Sequence, residues 1–121
     1  MASVLVIDDD PAMRSTLRRI LERDGHEVRE AEDGDRGIRT FRAQPTDIVI
    51  TDVLMPGKEG IETIVELREE APEVRILVIS GGGSMRVEAM LDDATAIGAD
   101  ASLAKPFTID QLRNAVAALL G

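Results

Sequence analysis

The chain has no cysteine, no tryptophan and no tyrosine, and only two phenylalanines and one histidine in 121 residues. Without cysteine there are no disulfides, thiolate metal sites or cysteine nucleophiles, a composition that suits a reducing cytoplasm. Aromatics at 2% offer no platform for base stacking. Positive charge is also scarce: 14 basic against 23 acidic residues give a net charge of −9, which repels a phosphate backbone. Nucleic acid binding by this domain alone is therefore not expected. No apolar run approaches the roughly 20 residues of a membrane span. The first strand begins too early for a secretory leader, so the reading is a cytoplasmic protein without a membrane partner. What is present, 44% apolar and 31% charged residues, is the composition of an ordinary globule. The length supports a single domain, residues 1–121, around one substantial core.

Apolar runs alternate with stretches of helical period, the pattern of βαβ units and a parallel sheet. Strand 1 is predicted over Ser3 to Asp8, and helix 1 follows with Asp10 as N-cap and Pro11 at the first helical position. Its inner stripe is Met13, Leu17, Ile20 and Leu21, and Gly25 ends it. Strand 2, His26 to Ala31, alternates and is assigned to an edge. Helix 2 starts after Asp33 with Ile38 and Phe41 inward, and strand 3 runs Thr46 to Thr51. Helix 3 carries Ile61, Ile64 and Val65 inward and stops before Pro72. Strand 4 is Val74 to Ile79, and Gly81-Gly82-Gly83 separates it from helix 4, with Val87, Met90, Leu91, Ala94 and Ile97 as its stripe. Strand 5 is Asp100 to Ala104. In helix 5, Thr108 and Gln111 form a capping box, Phe107 staples onto Leu112, and Leu112, Val116, Leu119 and Leu120 face inward. Five strands and five helices with short crossovers predict a doubly wound, flavodoxin-like α/β sheet of order 2-1-3-4-5.

Chemistry-bearing residues sit where predicted buried strands end. Asp8 and Asp9 close strand 1, Asp52 closes strand 3, Ser80 closes strand 4, and Lys105-Pro106 follows strand 5. In an open parallel sheet those ends share one edge, where ligands bind. Three carboxylates, a hydroxyl and an ammonium would meet there. Crowded carboxylates repel unless a cation neutralises them. A hard, oxygen-preferring ion such as Mg²⁺ fits, whereas zinc does not, because sulfur ligands are absent and His26 lies at the far end of a strand. A carboxylate beside such an ion can attack phosphorus. Lys105 would meet the arriving phosphoryl group as a point charge, and Ser80 would donate a hydrogen bond to it.

Each residue alone has a plainer reading. A single aspartate at a strand end is usually a helix cap, which is the role assigned to Asp10. A lone serine there is a loop hydroxyl, a lone lysine a solvated charge, and His26 a surface residue. The cap explains one acid of the Asp8-Asp9 pair but not both. Joint placement on four strands of one edge favours the functional reading.

These motifs resemble the receiver domain of two-component response regulators. The resemblance covers nearly the whole chain, from Val4-Leu5-Val6-Ile7-Asp8-Asp9-Asp10-Pro11 through Thr51-Asp52-Val53-Leu54-Met55-Pro56 to Gly98-Ala99-Asp100 and Lys105-Pro106-Phe107. It implies that Asp52 accepts a phosphoryl group from a histidine kinase or histidine phosphotransfer protein. It implies Mg²⁺ held by Asp8 through water, Asp9, Asp52 and the backbone carbonyl of Leu54, with Ser80 and Lys105 assisting. It also implies a cis Lys105-Pro106 bond and a downstream protein partner at the helix 4–strand 5–helix 5 face. Such a domain is not an enzyme beyond its own phosphorylation and dephosphorylation.

Three departures bear on output. Ser102 stands where the family commonly has a rotating aromatic, three residues before the lysine. Ser80 is followed by three glycines, which cost more to order than bulkier residues. The interval from Ser80 to Lys105 is a few residues longer than usual, around Met85 to Ala96. The expected consequence is a non-standard output face. One alternative is a receiver excised from a larger regulator with a DNA-binding or enzymatic output. A Mg²⁺-dependent aspartyl phosphatase would want a second acid at position 54, where Leu54 stands. A flavin phosphate would be repelled by Asp8-Asp9-Asp10.

Overall fold

The computed structural model describes residues 2–52, 60–81 and 98–121. Its strands are β1 (Ser3–Ile7), β2 (Glu27–Ala31), β3 (Ile48–Asp52), β4 (Arg75–Gly81) and β5 (Ala101–Lys105). Its helices are α1 (Pro11–Arg23), α2 (Gly34–Ala43), α3 (Gly60–Glu70) and α4 (Ile109–Leu120). The strands form one sheet of order β2-β1-β3-β4-β5, with every pairing parallel. This is the predicted doubly wound order, with β2 at an edge. The helix labelled α4 is the fifth one predicted; the predicted helix 4 lies outside the described residues.

Two apolar layers form because strand side chains alternate. Leu5, Ile7, Val49, Ile76 and Val78 face Ile38 and Phe41 of α2 and Ile64 and Leu67 of α3. On the other face, Val4, Val6, Ile48, Ile50, Leu77 and Ile79 meet Leu17, Ile20 and Leu21 of α1 and Leu112 and Val116 of α4. β1 and β3 are apolar on both faces because helices cover both.

The local signals read from the chain recur in the structure. The Asp10 carboxylate caps α1 through the Ala12 amide, with Pro11 at the first helical position. Gly25 follows α1 with φ at 87°, a left-handed turn that a side chain would strain. Asp33 caps α2 through the Arg36 amide. Thr108 and Gln111 form the reciprocal capping box, and Phe107 packs in the same cluster as Leu112.

Several expectations are corrected. Val65 is 38% exposed, while Leu67 is fully buried. At about 100° per residue, Ile61, Ile64 and Leu67 make the narrow stripe and Val65 falls on its rim. Leu120, expected inward, is exposed at the last position of α4. β5 is not a buried strand: Ser102 and Ala104 are exposed at this second edge of the sheet. β4 runs on to Gly81, so Ser80 lies within the strand and pairs with Ala104. His26 is half-buried rather than a surface residue, and its Nδ1 accepts the Ala2 amide at 3.2 Å.

Candidate functional site

Strand register places the acids. Ile7 pairs with Thr51 and Asp52 with Ile79, so β1, β3 and β4 end at one level. Gly81 pairs with Lys105, which brings the carboxyl end of β5 to the same edge. Carboxylate oxygens of Asp8, Asp9 and Asp52 lie within 4.8 Å of one another. Asp8 and Asp52 are buried and Asp9 is exposed, so the cluster is a pocket with one acid at its mouth. The donor set is oxygen only. An oxygen-only set of three carboxylates suits a hard divalent cation, which would offset their mutual repulsion.

Lys105 bridges the two buried acids. Its ammonium donates to Asp52 Oδ2 at 3.0 Å and to Asp8 Oδ2 at 3.4 Å. The Lys105-Pro106 peptide bond is cis, as the resemblance implies. Burial acts to lower the Lys105 pKa, but the hydrogen bond and charge of Asp52, aided by Asp8, raise it above the ordinary lysine value. Burial raises the Asp8 pKa and the Asp52 charge adds to that rise; the Asp10 amide and Lys105 oppose it without cancelling it. One ammonium therefore offsets only part of the charge of three carboxylates, and the pocket favours a further cation.

Asp8 is held through its backbone as well. Its amide donates to the Ala31 carbonyl at 3.1 Å, and its Oδ1 accepts the Asp10 amide at 2.9 Å. Arg14 Nη1 donates to the Asp8 carbonyl at 2.6 Å. Sequence reasoning passed over Arg14. One signal was present: a cation at the end of the first helical turn opposes the helix dipole and so suggests a tertiary partner.

Of the residues expected at the site, Asp8, Asp9, Asp52 and Lys105 come together. Ser80 reaches the same edge by backbone register. Leu54 and the glycine run from Gly82 onward lie outside the described residues, as does the longer segment Met85 to Ala96. Asp10 is a cap and not part of the cluster.

The family comparison agrees with this geometry. A family model for the response regulator receiver domain matches residues 4–117. The chain belongs to the response regulator receiver domain family. Response regulator MprA of Mycolicibacterium vanbaalenii is 37% identical over 117 residues, covering 97% of this receiver and 49% of that protein. The receiver thus spans about half the length of the curated relatives it matches. Among solved structures, the Vibrio cholerae chemotaxis protein CheY4 superposes with a TM-score of 0.88 at 28% identity, covering 98% of each chain. A receiver domain protein from Clostridium thermocellum gives 0.88 at 32% identity, over 99% of this chain and 94% of that one.

The Gly98-Ala99-Asp100 motif serves the opposite end of the receiver. Arg68 of α3 donates through Nε to the Gly98 carbonyl at 2.8 Å and through Nη2 to Asp100 at 2.5 Å. The same Asp100 oxygen accepts the Ile76 amide at 2.7 Å, tying α3 to β4 and to the approach of β5. A Cβ on Gly98, whose φ is 134°, would lie 2.8 Å from Arg68 Cγ. This motif is a strut, and its signal in the sequence said nothing of its role. Among the described residues no helix is long and apolar enough to cross a membrane.

Proposed function

We propose that Asp52 is the phosphoryl acceptor of this receiver, taking the group from a phosphohistidine on a histidine kinase or phosphotransfer protein. The observation that carries this reading is the Lys105 ammonium, 3.0 Å from Asp52 Oδ2 and 3.4 Å from Asp8 Oδ2, beside the three-acid cluster. An Asp52 oxygen attacks phosphorus, the O–P bond forms as the N–P bond of the donor breaks, and the electron pair leaves with the imidazole. Mg²⁺, when bound, supplies positive charge to the phosphoryl oxygens. Asp8, Asp9 and Asp52 are the residues that would hold it, joined in the family pattern by the Leu54 carbonyl.

Lys105 transfers its contact from Asp52 to a phosphoryl oxygen without leaving the pocket, and the Ser80 hydroxyl donates to another. These contacts exist only in the phosphorylated protein, so they bias the conformational equilibrium of the output face. That face is the predicted helix 4 with β5 and α4. Exposed Ser102 on β5 supports an output that does not use a rotating ring. The receiver catalyses only its own phosphorylation and dephosphorylation, in the cytoplasm. It serves as a free-standing regulator or as one part of a longer one, and the genomic reading frame discriminates between these.

The test is incubation with acetyl phosphate and Mg²⁺. The wild type should gain one phosphoryl group by mass, sensitive to hydroxylamine. Asp52→Asn should remain folded and gain none. Retained hydroxylamine-sensitive label in that variant would sink the assignment.

A further inference from the structure

We propose that Arg14 is a positioning residue for the metal site, acting through the peptide that joins Asp8 to Asp9. All four polar groups of Asp8 are engaged: the amide by Ala31, Oδ1 by Asp10, Oδ2 by Lys105 and the carbonyl by Arg14. Only the last of these acts directly on the peptide plane leading to Asp9. A peptide is planar, so a fixed Asp8 carbonyl fixes the opposed Asp9 amide and the N–Cα bond about which Asp9 turns. Asp9 is exposed and no core packing aims it. The guanidinium at the Asp8 carbonyl therefore anchors the backbone from which the exposed carboxylate of the cluster departs.

Arg14 is itself anchored. Its side chain is 14% exposed, and Nε lies 3.4 Å from Glu30 Oε1 on the edge strand β2. The other Glu30 oxygen accepts from Arg18 at 2.5 Å, so the carboxylate is clamped between two arginines of α1. The planar fork of arginine reaches Glu30 with one nitrogen and the Asp8 carbonyl with another. A lysine has one nitrogen and cannot serve both.

Charge and positioning predict opposite signs, which makes the role testable. If Arg14 were only a cation near three carboxylates, its removal would strengthen Mg²⁺ binding. If it aims Asp9, its removal weakens binding, and loss of a hydrogen bond supporting a ligand typically costs 10-fold or more in metal affinity.

The inference rests on the receiver reading above. The experiment is a Mg²⁺ titration of wild type, Arg14→Gln and Arg14→Lys, followed by amide chemical shifts around Asp9 and Asp52. Arg14→Gln should bind about 10-fold more weakly than the wild type. Arg14→Lys should lie between them, because it keeps the charge and loses the fork. If Arg14→Gln does not fold, Arg14→Lys decides, since a pure charge effect leaves its affinity unchanged. Affinity equal to or above that of the wild type in the folded variants overturns the proposal. A wild type that binds no Mg²⁺ overturns the metal-site reading itself, and this inference with it.

Discussion

Gly37→Ala probes how closely α2 is pressed against the strand that carries Asp8. Gly37 is buried in α2. A Cβ added there would overlap Ile7 Cδ1 and lie 2.8 Å from Ile7 Cγ1. Ile7 is 1% exposed and directly precedes Asp8, so it has little room to yield. Two effects oppose each other. Alanine in a helix interior gains about 1 kcal/mol over glycine. Overpacking a dense core costs about 1–3 kcal/mol. The second should win, leaving the variant about 1 kcal/mol less stable, or about 4 °C lower in Tm for a domain of this size. Ile7→Val removes the nearest atom, Cδ1. The double variant should therefore be less destabilised than the sum of the singles, by about 0.5–1 kcal/mol. With no tryptophan or tyrosine to report by fluorescence, urea unfolding is followed by far-UV circular dichroism. A Gly37→Ala midpoint at or above that of the wild type would refute the reasoning, and so would strict additivity with Ile7→Val.

Asp9→Ala should abolish most Mg²⁺ binding in an amide titration, whereas Asp10→Ala should keep it and lose a helix cap worth about 1 kcal/mol; equal loss in both would show that the acids are misassigned. Lys105→Ala should impair phosphorylation or the response to it while Mg²⁺ binds as well as before or a few-fold tighter, because the ammonium occupies the same buried carboxylates. Asp8 gives a pH-dependent stability. Its folded pKa is raised, so the folded state binds that proton more tightly and the group's favourable contribution is full below the unfolded value of about 3.9, then lost as pH rises through the folded value. Asp8→Asn should therefore be more stable than the wild type at neutral pH, with the advantage shrinking toward low pH. An advantage that stays constant across an acid titration of the urea midpoint would contradict the burial argument.

Local rules were legible because they depend on neighbours in the chain. Apolar runs marked four strands and alternation marked β2, and the caps at Asp10, Asp33 and Thr108 depend on amides only two or three residues away. Strand ends slipped by one or two residues, because register with a neighbour decides the last pair. Val65, expected inward, fell on the rim because a stripe of helical period fixes a face but not its edge. The sheet edge as a meeting place for Asp8, Asp9, Asp52 and Lys105 followed from the parallel order alone.

What the sequence by itself determined was a parallel α/β sheet with acids and a lysine at one edge, since periodicity, caps and chain order are written locally. Only the tertiary structure decided which atoms meet. Lys105 reaches Asp52 across 53 residues and Asp8 across 97. Arg68 and Asp100 clamp the far end of the sheet across 32 residues. Arg14 grips the carbonyl of Asp8 because Glu30, on a different strand, holds its guanidinium from behind. Such pairings have no periodic signature, for they arise where packing has already brought distant segments together and an unpaired buried charge would be costly.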